Sequence, residues 1–300
     1  MRRVEIRIDL EQVRRNAEEI SRAVAVPVMA VVKANAYGLG AVEVVQAIND
    51  VVAGFCVFSL AETREYRIRE IARKPTLCIG PPDGDAEDYR SHQARPAVST
   101  IEQARRLRNA GPALCVDTGM QRFACPPENV AEALRAGQCS EAFTHAIRPD
   151  QAMRLVELTG GRGGLTLHAV GSSLLHDRSC WLDAVRPGMA LYRGAARISA
   201  PLVDVRETRG PAGYSGFSAA RHGVILGGYS RGLRPGPCIV NGRPSRVLEV
   251  GMQSAFVECA AADKIGDEVV LIGDGLEASE IAVAWNSSPQ EVLVSLLRGR

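Results

Sequence analysis

The chain has 300 residues, a formal net charge of +2, 46 % hydrophobic residues and 23 % charged ones. That balance is ordinary for a packed globular protein and excludes extensive disorder, and the weak charge leaves no footprint for nucleic acid or an anionic membrane surface. No apolar run reaches the ~18 residues a membrane span needs, and Glu5, Asp9 and Glu11 stand where a signal peptide would place its apolar core. The sequence therefore predicts a cytoplasmic protein with neither nucleic-acid nor membrane partners.

Val4, Ile6, Ile8 and Leu10 alternate with polar neighbours as a first strand does, and Leu10, Val13, Ala17, Ile20 and Ala23 then take helical spacing. A repeated pattern follows, in which short apolar runs alternate with amphipathic helices. The runs are VPVMAVVKA, GFCVFSL, PTLCIG, RPAVST, ALCVD, EAFTHA, GLTLHAV and AVRPGMALY. The helical stretches include AVEVVQAIND, LAETREYRIREIA, TIEQARRLRNA, ENVAEALRAG and DQAMRLVELTG. Eight runs with helices between most of them predict an α/β fold, a parallel (β/α)8 TIM-type barrel over residues 10–200. The competing open doubly wound sheet lacks its Gly-x-Gly-x-x-Gly after an early strand. Beyond residue 200, Pro and Gly punctuate HGVILGGY, CIVNG, SRVLEVG, SAFVECA and DEVVLIGD. This predicts a smaller mainly-β domain over 201–300, joined by strand 1–9, with no helix before SSPQEVLVSLL.

Eight cysteines occur without a single Cys-x-x-Cys, several inside apolar runs, which reads as core thiols in a reducing compartment rather than disulfides or a metal site. Only three of the 36 basic residues are lysine: Lys33, Lys74 and Lys264. Where arginine is the default cation, a lysine ending the run VMAVV invites a specific use. A desolvated lysine can lose its proton and become a nucleophile, and arginine cannot. At the C-terminal end of the first barrel strand, Lys33 would stand at the catalytic mouth. The alternative is a lysine that snorkels at a strand end.

The stretch AVVKANAYGLG resembles the cofactor-lysine motif of the alanine racemase family, fold-type III pyridoxal-phosphate enzymes, in a shortened and divergent form. CVDTGMQRF, AFTHA, LHAVGSS, AVRPGMALYRG, GYSGFSA, GGYSRGLRP, VGMQ and IGDEVVLIGD carry the resemblance on in the family's order across nearly the whole chain. The resemblance implies a pyridoxal-phosphate-dependent racemase of alanine or another small amino acid, acting as a homodimer with shared sites and needing no metal. Lys33 would carry the cofactor covalently. Tyr37, Ser172 and the backbone of Gly188 and Met189 would hold its phosphate, and Arg186 would lie beside its pyridine nitrogen. Lys33 would serve one face of the substrate and Tyr229 of the neighbouring subunit the other, in a two-base mechanism. A hydrogen-bond chain of Tyr229, His145, Arg186 and His168 would support that tyrosine. Arg122, with the backbone near Met252, would take the substrate carboxylate. Residue by residue, the plainer alternatives are a helix cap for Ser172 and an ion pair with Asp183 for Arg186.

The chain departs from the family at definite places. Leu39 replaces a common His, Cys115 a lysine that some members carbamylate to brace the arginine, Gln253 an Asp, and Ser230-Arg231 the usual Ala-Asp. The segments Cys115–Arg186 and Tyr192–Tyr214 look trimmed, and the end at LLRGR stops where relatives continue into a last strand. Two other functions compete: a fold-type III decarboxylase or lyase, and a non-catalytic cofactor-binding relative. Arg186 and Arg122 speak against the first, and the Lys33–Tyr229 pair against the second.

Overall fold

The computed structural model describes residues 4–161 and 163–298, so residues 1–3, 162, 299 and 300 of the predicted domains lie outside the described residues. The chain divides into two compact units. One comprises Leu10–Ala36 and Gly40–Tyr192; the other comprises the residues up to Asp9, Tyr37–Leu39 and those from Arg193 onward.

Strand β1 (Glu5–Ile8) belongs to the second unit. The first unit is built on seven consecutive parallel strands: β2 (Met29–Val31), β3 (Gly54–Val57), β4 (Thr76–Cys78), β5 (Ala94–Val98), β6 (Ala113–Cys115), β7 (Glu141–Ala146) and β8 (Thr166–Val170). Most of their residues are buried, as expected of a parallel sheet covered on both faces. The eighth run, AVRPGMALY, closes the barrel without forming a regular strand. Asp183 and Arg186 donate their N–H groups to Leu167 and Val170 on one side, while Val185 and Pro187 accept from Met29 and Val31 on the other. Pro187 supplies no N–H, so the ladder is interrupted there. The predicted eight-stave barrel is thus present, its last stave reduced to parallel bridges at Val28–Val185 and His168–Ala184.

The helices between the staves follow the predicted stretches with one break. LAETREYRIREIA forms two short helices, Leu60–Glu65 and Ile68–Ile71, because Arg67 takes a left-handed conformation (φ +52°) between them. Ser59 caps the first by accepting from the Glu62 N–H, and Thr100 caps Ile101–Leu107 through Gln103.

In the second unit β9 (Ala196–Glu207), β10 (Arg221–Ile225), β11 (Gly236–Val240), β12 (Arg243–Val250), β13 (Ala255–Glu258) and β14 (Glu268–Ile272) pair antiparallel. β9 is long enough to pair with both β10 and β14, so β9–β14 close on themselves, and β1 adds to β9 alone as an outer strand. The sequence places no helix before the terminal one, yet Ala278–Ala284 is helical in addition to Pro289–Leu296. A Glu277–Glu280 capping box starts it, and Ala278, Ile281 and Ala282 are its buried face. Seven residues give too short a period to stand out among Gly and Asp neighbours.

Candidate functional site

Lys33 stands two residues beyond the end of β2 and opens a turn in which Ala34, Asn35, Ala36 and Tyr37 all have φ between +51° and +58°. Four successive left-handed residues with side chains cost about 1–2 kcal/mol each. In the first unit the cost is offset by named bonds. Ala34 N–H donates to Glu62 Oε1 at 2.8 Å, Asn35 N–H to the Tyr66 hydroxyl at 2.7 Å, and Asn35 Oδ1 accepts from Ala41 N–H at 2.7 Å. The loop is therefore a rigid support for Lys33, held by Glu62 and Tyr66, which the sequence did not single out. The Lys33 amine is half-buried, and its pKa is lowered by burial and by the Arg122 charge, against a partial lift from Glu62.

Arg122, on the exposed loop after β6, makes no hydrogen bond or ion pair among the described residues. It lines an open cavity of about 520 Å³ with Asp117, Thr118, Gln121 and Arg154. Burial pushes the Cys115 thiol up to about 12, so it stays neutral and supplies no anion to the arginine. His145, near the end of β7, is pushed down to about 4 by desolvation and by the charges of Arg186, Arg122 and Lys33. It is a neutral imidazole facing three cations, with no hydrogen bond among the described residues.

Arg186 lies inside the barrel, 5 % exposed. Its Nη1 donates to His168 Nδ1 at 2.9 Å, its Nη2 donates to the carbonyls of Thr144 and Ala169, and its guanidinium carbon sits 4.7 Å from the Phe143 ring centroid. Asp183, the alternative partner, instead accepts from the Leu167 N–H. His168 is fully buried and stacks on Phe143 at 5.3 Å. Its Nε2 is 2.8 Å from Glu141 Oε1, and Arg95 Nη1 lies 2.6 Å from Glu141 Oε2. Of the predicted chain the structure joins Arg186 to His168. The chain then runs on to Glu141 and Arg95 within the barrel, residues the sequence analysis passed over. A glutamate opening a buried strand and an arginine in RPAVST were the available signals.

The Ser172 side chain does not cap the short helical turn Ser172–Leu174 that it opens. Its Oγ accepts from Gly188 N–H at 2.9 Å and from Ala190 N–H at 3.1 Å. Two backbone donors thus converge on one oxygen at the end of the eighth stave. The second belongs to Ala190, with Met189 between them.

In the second unit Tyr229 and Met252 are brought together. Tyr229 N–H donates to Gly251 O at 2.9 Å and Ser230 N–H to Met252 O at 3.1 Å, and the two side chains are 56 % and 60 % exposed. Gly228 permits this approach, since a Cβ there would lie 2.3 Å from the Gly251 and Met252 carbonyl oxygens. Gly228→Ala should force the two loops apart, costing about 1–3 kcal/mol. A thermal melt with a lowered Tm, together with weakened activity, is the expected result.

Residues 8–196 match the model for the alanine racemase N-terminal domain. An alanine racemase of Cereibacter sphaeroides (strain ATCC 17025) is 31 % identical over 97 % of this chain and 95 % of its own. The biosynthetic alanine racemase of Escherichia coli O6:H1 is 30 % identical over 99 % and 97 %. These alignments run to 337 and 352 positions, longer than the 300 residues here, so the relatives carry residues this chain lacks. Among solved structures, the biosynthetic alanine racemase of Pseudomonas aeruginosa superposes with a TM-score of 0.88 at 25 % identity, covering 99 % of this chain and 97 % of that one. The Bartonella henselae alanine racemase, solved with covalently bound pyridoxal phosphate, has a TM-score of 0.86 at 21 % identity, over 98 % and 97 %. With more than half its length in the family's domain, this chain belongs to the alanine racemase family.

Proposed function

We propose that the protein is a pyridoxal-phosphate-dependent racemase of alanine or another small amino acid. The observation that carries this is Lys33: a desolvated amine on a rigid turn at the barrel mouth, its proton affinity lowered by a neighbouring arginine that has no partner of its own among the described residues. The donor set fits the cofactor. With Gly188 N–H and Ala190 N–H both donating to its oxygen, the Ser172 hydroxyl is held in place with its own proton free to donate to a phosphate, and Arg186 offers a fixed guanidinium. Lys33 would hold the cofactor covalently, and Tyr37 would complete the phosphate site.

Pyridoxal phosphate, when bound, withdraws electron density from the α-carbon and makes its proton acidic. Arg186 keeps its own proton, so at the pyridine nitrogen it would limit that withdrawal and favour removal and return of a proton over more extensive bond rearrangement. Arg122, unbraced by Cys115, would bind the substrate carboxylate through its fork of donors, a role the Met252 backbone would share. Lys33 would remove or supply the α-proton on one face and Tyr229 on the other. Tyr229 would be contributed by a second copy of the chain; its exposure on a pinned turn supports that role. His145, neutral at physiological pH, could then accept or return the tyrosine proton. Eight buried, unbridged cysteines support a cytoplasmic setting, and no described helix is long and apolar enough to cross a membrane.

Proton NMR in deuterated water, with pyridoxal phosphate and both enantiomers of a panel of small amino acids, tests the proposal. α-Deuteration with inversion is the expected result, falling about 10²–10⁴-fold in Tyr229→Phe. Exchange with retention would remove Tyr229 from the mechanism. Absence of exchange with every amino acid would reject the racemase.

A further inference from the structure

The chain behind Arg186 carries a chemical instruction of its own. An arginine only donates, so His168 Nδ1, 2.9 Å from Arg186 Nη1, has to accept and carries no proton. An ionised carboxylate only accepts, so His168 Nε2, 2.8 Å from Glu141, has to donate. The two neighbours together fix one tautomer of a fully buried imidazole. The second oxygen of Glu141 is taken by Arg95, which keeps the carboxylate ionised inside the barrel. Without Glu141 the interior would hold Arg186 and Arg95 without the carboxylate that faces them among the described residues, and His168 could move its proton to the nitrogen that faces the guanidinium. Such a proton would break the Arg186 bond and push the guanidinium away.

We propose that Glu141 is a positioning residue for the racemase reaction, which acts through the His168 tautomer to hold Arg186 in place, with Arg95 as its counter-ion. This rests on the function proposed above, because Arg186 matters to the chemistry only if it faces the cofactor ring. The groups around His168 are Arg186 on the eighth stave, Glu141 on β7 and Arg95 on β5, with the neutral thiols of Cys56 on β3 and Cys115 on β6 near Arg186. Burial and the Arg186 charge keep His168 uncharged at neutral pH. Arg95 and the Nε2–H bond, rather than a histidine charge, are then what hold Glu141 ionised there.

The test is ¹⁵N NMR of histidine-labelled protein at pH 7.5 without added cofactor, with His168→Gln to assign the signal. Wild type should show the proton on Nε2. Glu141→Leu should move a measurable share to Nδ1, and Glu141→Gln, which keeps an acceptor, should leave it on Nε2. With cofactor and substrate, kcat should fall on the order of 10–100-fold in Glu141→Leu and recover most of that loss in Glu141→Gln, at similar KM. If Glu141→Leu does not fold, Arg95→Met serves: loss of the counter-ion should leave Glu141 paired with His168 alone and raise the histidine's titration midpoint. An unmoved Nε2 proton in Glu141→Leu, or an unmoved midpoint in Arg95→Met, overturns the proposal. A tautomer shift in a chain that racemises no amino acid would instead reject the proposed function and leave the Glu141–His168 linkage standing.

Discussion

Lys33→Ala is expected to abolish racemisation, with a loss of about 10³-fold or more, because the same amine holds the cofactor and serves one face of the substrate. Lys33→Arg should be equally inactive. The arginine keeps the charge near Glu62 but cannot release its proton at any working pH, so it offers no electron pair to a carbonyl or to an α-hydrogen. The pair of variants therefore separates a need for charge from a need for a lone pair. Both proteins should melt within a few degrees of wild type, since the turn is held by Glu62, Tyr66 and Asn35 rather than by the lysine. Borohydride treatment with added pyridoxal phosphate gives an independent readout: a peptide spanning Lys33 should gain the cofactor's mass in wild type and in neither variant. Activity in Lys33→Arg above a tenth of wild type would sink the assignment.

The barrel was legible because its signal is repetitive. Buried parallel strands read as short apolar runs, and each helix between them shows a separate periodicity, so an error in one element does not propagate. The weak stave was legible as a run but not as an irregular one. Pro187 announces a missing donor, but the bridges at Val185 and Ala184 depend on strands far away in sequence. The helix Ala278–Ala284 escaped because its seven residues give less than two full turns of pattern.

The site was legible where a residue type is itself informative, and opaque where its meaning lies in a neighbour. Lys33 stands out in a chain that otherwise uses arginine. Nothing in AVVKANAYGLG announces a left-handed turn at Ala34–Tyr37, because alanine and tyrosine disfavour that conformation. The turn is imposed by acceptors on the helix Leu60–Glu65 and at Tyr66. Likewise Arg186 and His168 were found through the family's motifs, whereas Glu141 and Arg95 belong to the same chain of bonds only through three-dimensional proximity. The convergence of Gly188 and Ala190 on Ser172 is a backbone property, which no side-chain pattern encodes.

Acidification should unfold the protein through His168 before its surface carboxylates matter. The imidazole is fully buried, and desolvation together with the Arg186 charge pushes it down to about 4, although Glu141 pulls the other way. In the unfolded chain a histidine titrates near ~6.5. Between those two values the unfolded state binds a proton that the folded state refuses, so stability is complete above about pH 6.5 and is lost as pH falls towards 4. The loss across that window is on the order of 3 kcal/mol, a large part of a typical folding free energy. Glu141 is held below the usual carboxylate range, so its own contribution declines only under more acid conditions. Urea unfolding at a series of pH values should show the drop in wild type. His168→Gln has an amide that can accept from Arg186 and donate to Glu141 but does not titrate. Its stability should fall less steeply than that of wild type from pH 7 to 5, even if it starts lower, the remaining slope belonging to His145, which is likewise pushed down to about 4. A wild-type curve parallel to that of His168→Gln through this window would show that the buried imidazole takes up its proton without cost, and the fixed-tautomer chain from Arg186 to Arg95 would have to be abandoned.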